Sequence, residues 1–113
     1  MLNAIKDLIQ LNCTGNIIEL CQKYYASDIT MISNGTSFAN SRQSAIDNQK
    51  GYIDSVDTFD ITLISKEIDH AEVTLVFHYK MICKDGVALD FTGEHVQTWE
   101  NNKIIKEIYT TLK

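Results

Sequence analysis

The run HAEVTLVFHYKMICK, His70 to Lys84, decides the fold. Val73, Leu75, Phe77, Tyr79 and Met81 place apolar side chains at every second position, and Thr74, His78 and Lys80 fall between them. A strand points successive side chains to opposite faces, so the alternation predicts a long antiparallel strand with one face in a core and the other at least partly wet. The period of two holds from Asp57 onward, in long runs separated by Ile68-Asp69, Lys84-Asp85-Gly86 and Asn101-Asn102, each a plausible turn. Four strands in sequence make a meander.

Upstream of Asp57 the period is helical. Leu2, Ile5, Leu8, Ile9 and Cys13 form one apolar stripe that stops at Thr14-Gly15. Asn16, with Glu19 in the place of a capping-box acid, predicts a second helix whose buried face is Ile17, Leu20, Cys21 and Tyr24 and whose end is near Ala26. Two short strands, Ile29 to Ser33 and Thr36 to Ala39, flank Asn34-Gly35, a pair suited to the positive φ angles of a tight hairpin. Ser41 then reads as the cap of a third helix, with Ala45, Ile46, Gln49, Ile53 and Val56 inward and an end near Ser55.

The strand Val87 to Glu100 admits two readings. Val87, Leu89 and Phe91 share a parity that past Gly93 is held by His95, Gln97 and Trp99. A β-bulge at Thr92-Gly93 would reverse the facing and turn Glu94, Val96 and Thr98 inward. Without it, His95, Gln97 and Trp99 face inward. The last strand is equally open, because Glu107 and Tyr109 share one parity and Ile104 and Ile108 the other.

At 113 residues, 44% hydrophobic and 22% charged, the chain reads as a single domain over 1–113, able to bury a core without staples. Fifteen acidic against ten basic residues give a net charge of -5, and the bases are scattered, with Arg42 the only arginine. Such a surface repels phosphate, so nucleic acid is not an expected partner. Three cysteines, Cys13, Cys21 and Cys83, lack metal-ligand spacing and an even count, which predicts reduced thiols, no metal and no cofactor. No run approaches a membrane span, and Lys6 and Asp7 interrupt the first apolar segment, so a cytoplasmic protein without a membrane partner is expected.

The order of these elements, the segment Tyr25-Ala26-Ser27-Asp28-Ile29 and the turn Glu100-Asn101-Asn102-Lys103-Ile104 together resemble the nuclear transport factor 2-like superfamily, and within it the SnoaL-like and ketosteroid-isomerase-like small domains. The family's usual acidic pair is here a single acid, Asp28, and Asn102 stands where glycine is usual. The resemblance implies an α+β fold in which a cone-shaped, curved antiparallel sheet encloses a pocket covered by three helices from the N-terminal half. It also implies a likeness to proteins that pair into homodimers through the outer face of the sheet. Carried over residue by residue, the isomerase's general base falls on Ser33 and its oxyanion-hole tyrosine near Leu8, neither of which can do that work. The oxyanion hole's partner acid falls on Glu94.

The expected function is therefore binding of a small apolar or aromatic molecule, with proton-transfer isomerisation, cyclisation or dehydration as the reactions that an acid-base group in the pocket would serve. Glu94 is the candidate acid-base residue if the bulge is present, and His95 if it is absent. Tyr24, Leu75, Phe77, Tyr79, Val96 and Tyr109 are the candidate lining. With Glu94 inside, His78, Gln97 and Trp99 would lie outside as a polar and aromatic interface. The other function is a non-catalytic binding or protein-association module that works through that outer face.

Overall fold

The structure, a computed structural model, describes residues 1–112. Its elements are α1 (Leu2–Cys13), α2 (Ile17–Tyr24), β1 (Tyr25–Ser33), β2 (Thr36–Ala39), α3 (Arg42–Asp54), β3 (Val56–Asp69), β4 (Glu72–Cys83), β5 (Ala88–Glu100) and β6 (Lys103–Leu112). Six strands form one sheet in the order β2-β1-β6-β5-β4-β3. The expected meander β3 to β6 is antiparallel throughout, and β1 joins it parallel to β6, which makes the sheet mixed.

The α1 stripe buries Ile5, Leu8 and Leu11 and closes at Gly15, whose φ of +79° lets Asn16 N–H reach back to the Leu11 carbonyl at 2.8 Å. Asn16 precedes α2 but makes no side-chain cap; its amide donates to Thr14 Oγ1 instead, so the capping box expected there does not form. A capping box does form at Ser41, where Ser41 Oγ accepts from Ser44 N–H and Ser44 Oγ accepts from Ser41 N–H. β1 starts at Tyr25, four residues before the expected Ile29, because α2 ends directly in extended backbone. The turn expected at Ile68-Asp69 lies one step on, with His70 at φ +55°.

Residues Val73, Leu75, Phe77, Tyr79 and Met81 are buried on the inner face of β4. Burying each side chain of this kind contributes about 1.5–3 kcal/mol. Extra residues interrupt the pairing of β1 with β2, β3 with β4 and β5 with β6. Such irregularities bend strands and increase their twist, and here they curve the sheet toward the helices. α1 packs on β3, α2 on β6 and α3 on β1 and β2. No helix among the described residues is long and apolar enough to cross a membrane.

Candidate functional site

Pairing of β4 with β5 is unbroken from Ile82↔Ala88 to Glu72↔Thr98, so no bulge lies at Thr92-Gly93. The irregularity falls on β6, where Trp99 pairs with Ile104 but Thr98 pairs with Lys106. One extra residue there turns both Ile104 and Glu107 inward despite their opposite parity. Gly93 has another purpose: a Cβ at this position would lie 2.5 Å from Tyr109 Cε1, so only glycine lets the Tyr109 ring lie against β5.

Between the helices and the concave face of the sheet lies a cavity of about 700 Å³. That volume suits a small-molecule site. Its walls include Leu8 and Asn12 of α1, Ser33 of β1, Tyr52 of α3, Phe77 and Tyr79 of β4, Phe91 and His95 of β5, and Glu107 and Tyr109 of β6. Most of that surface is aromatic or aliphatic, and six of its polar side chains, Asn12, Tyr25, Tyr79, His95, Gln97 and Glu107, are joined to one another.

The joined groups form a directed chain. Trp99 Nε1–H donates to Gln97 Oε1 at 3.1 Å, which fixes the amide so that Gln97 Nε2 donates to Glu107 Oε1 at 2.8 Å. Tyr25 O–H donates to Glu107 Oε2 at 3.3 Å, and His95 Nδ1 stands 3.3 Å from Glu107 Oε1. On the other side of the ring, His95 Nε2 is 2.7 Å from the Tyr79 hydroxyl, to which Asn12 Nδ2 donates at 3.1 Å. An ionised carboxylate only accepts, so the neutral ring carries its proton on Nδ1 and Nε2 accepts from Tyr79. The imidazole is also boxed by rings, with the Tyr109 centroid at 5.0 Å and Phe77 edge-on at 5.7 Å.

Burial pushes the Glu107 carboxyl up, but His95, Gln97 and Tyr25 together outweigh it and hold the group below its ordinary value of 4.5. Burial raises the Tyr79 phenol, only partly offset by Asn12, and raises Tyr25 well above its ordinary value, with the Glu107 charge adding to the effect. Both phenols therefore stay protonated and act as donors.

Of the residues singled out in the sequence, Phe77, Tyr79, His95 and Tyr109 line the cavity. Leu75 is fully buried in the core and is not part of the wall. Tyr24 is also core: its hydroxyl donates to Asp7 Oδ2 and its ring lies 5.9 Å from that of Trp99. Glu94 and Val96, expected inside if the strand bulged, point to the opposite face because the register never shifts. For the same reason Gln97 and Trp99 are interior, at 2% and 3% exposure, and not on an outer interface. His78 does lie on the outer face, where Nε2 meets Asp90 Oδ1 at 2.7 Å. Ser33 and Leu8, which the resemblance set in the isomerase's base and oxyanion-hole positions, both reach the cavity. Sequence reasoning missed Asn12, Tyr25 and Glu107 as site residues; for Glu107 the only signal was its shared parity with Tyr109.

No family model and no curated protein matches the sequence. Solved structures do match. A candidate SnoaL-like polyketide cyclase from Jannaschia sp. superposes with a TM-score of 0.81 at 9% identity, over 97% of this chain and 83% of that one. Another from Mesorhizobium loti gives 0.78 at 16% identity, over 96% of each chain. An NTF2-like protein of unknown function from Burkholderia pseudomallei gives 0.79 at 8% identity, over 96% of this chain and 87% of that one. The chain thus has the nuclear transport factor 2-like fold.

Proposed function

We propose that this chain, acting as a single domain, takes a small, largely apolar molecule into the cavity and moves a proton on it with His95. The observation that carries the reading is the position of the His95 ring, held between the buried Glu107 carboxylate and the Tyr79 hydroxyl on the cavity wall. Glu107 keeps the proton on Nδ1, so Nε2 is the atom that takes or returns one. Tyr79, kept protonated by burial, donates to Nε2 while His95 is neutral and to an oxygen on the bound molecule once Nε2 is protonated. These two groups suffice for isomerisation, cyclisation or dehydration next to a carbonyl, and the candidate polyketide cyclases among similar structures agree with the middle of these. His95 replaces Glu94 as the acid-base residue.

A second reading concerns the outer face of the sheet, where Val96 pairs across to Ile108 and lies diagonal to Val76, all three half-buried. Such a cluster supports pairing of two chains into a homodimer.

A thermal-shift screen of apolar and aromatic compounds tests the first reading. A compound at a hundred times its Kd is expected to add about 2.7 kcal/mol of stability. For any compound that is turned over, His95→Gln is expected to reduce the rate by roughly 10²-fold or more. Turnover that survives the substitution removes His95 from the chemistry, and a screen without a single shift removes the cavity as a binding site.

A further inference from the structure

The directed chain has a consequence for what the cavity binds, one that rests on its being a ligand site. With His95 neutral, the Tyr79 proton lies on the line to Nε2, 2.7 Å away, and is not offered to the cavity. Once Nε2 is protonated it becomes a donor to the same oxygen, which already accepts from Asn12. A phenol oxygen can accept both bonds, but its own proton must then leave that line. Asn12 and His95 are the only side chains in hydrogen-bond contact with the Tyr79 hydroxyl among the described residues, so the displaced proton turns toward the cavity.

We infer that the cavity takes up an apolar molecule bearing a hydrogen-bond-accepting oxygen together with one proton, which resides on His95. The ionisable groups facing His95 are Tyr79 of β4 and Glu107 and Tyr109 of β6. Behind them stand Tyr25 of β1 and Cys21 of α2 against Glu107, Cys13 of α1 against Tyr79, and Tyr52 of α3 against Tyr109. Glu107 is the negative group of this set. An incoming carboxylate is repelled by it while His95 is neutral and tolerated once the ring carries a charge. Proton and ligand therefore bind with positive coupling.

Two probes of equal ring size test this by calorimetry between about pH 5 and about pH 8: 2-naphthoate, anionic throughout, and naphthalene, which has no acceptor. Naphthoate is expected to weaken by about tenfold per pH unit at the alkaline end and to take up about one proton when titrated in buffers of different ionisation enthalpy. Naphthalene binding is expected not to vary, and His95→Gln to abolish the naphthoate slope. Naphthoate binding without proton uptake would overturn the coupling and leave the cavity standing as a ligand site. A slope that persists in folded His95→Gln also overturns it. Binding of neither probe removes the cavity reading and this inference with it.

Discussion

Glu107→Leu is expected to cost about 3–5 kcal/mol of stability, because leucine deletes the acceptor shared by two buried donors and a partly buried one. Gln97 Nε2, Tyr25 O–H and His95 Nδ1 all converge on this carboxylate, which is 3% exposed. Tyr25 and His95 can turn or shift a proton, whereas Gln97 is held by Trp99 and cannot. For a domain of this size the loss corresponds to a fall in Tm of roughly 10–20 °C. Glu107→Gln keeps an acceptor oxygen and the shape, so its cost is expected to be about 1–2 kcal/mol. The two variants also separate by pH. The Glu107 carboxyl is held below its ordinary value of 4.5, so its ionised form contributes stability that is complete above that value and is lost as pH falls through the folded value. Wild type should therefore lose its advantage over Glu107→Gln on going from about pH 7 to about pH 3 in urea melts. A leucine variant that melts with wild type, or an advantage that does not shrink in acid, would show that the carboxylate is not the centre of the network.

How much of this was legible in the sequence differs between β4 and β5. β4 could be read directly, since alternation from Val73 to Met81 needs only the two-residue period and one wet face. The hairpin at Asn34-Gly35 and the turn at Asn101-Asn102 were equally plain, and all four residues adopt positive φ. β5 was ambiguous because its inner face changes character along its length, from Leu89 and Phe91 to His95 and Gln97. A polar stretch on the inner side of a strand mimics a change of register when its partners are unknown. The partners lie on β6, fourteen residues from Gly93 in the case of Glu107, and are brought inward by an irregularity that no local residue announces. Gly93 was a real signal with the wrong cause: its missing side chain makes room for Tyr109 and does not mark a bulge. The resemblance was sound for the order of elements and for the positions of Ser33 and Leu8 at the cavity, yet its carried-over acid, Glu94, points away. A polar network can move to neighbouring strands while backbone order stays the same, because the fold constrains where side chains point and not which of them are ionisable.

Trp99→Ala is expected to be as damaging as Glu107→Leu, for a different reason. The indole is 3% exposed, with its ring 5.9 Å from that of Tyr24, so truncation leaves a cavity where α2 meets the sheet. Large-to-small changes of this kind cost about 3–5 kcal/mol, through lost transfer energy and incomplete relaxation around the void. The loss also frees Gln97 Oε1, and the Gln97 amide that aims at Glu107 is then no longer fixed in orientation. Trp99→Phe retains most of the ring and removes only the indole donor, so it is expected to cost about 1–2 kcal/mol and to report the hydrogen-bond part separately. Neither variant should alter the oligomeric state, since the side chain does not reach the outer face. Thermal melts and sedimentation at matched concentration read both quantities. An unchanged Tm together with dissociation of a dimer would return Trp99 to the outer surface. It would also require the reversed facing of β5, with Glu94 inside and His95 out, and the acid-base assignment would move with it.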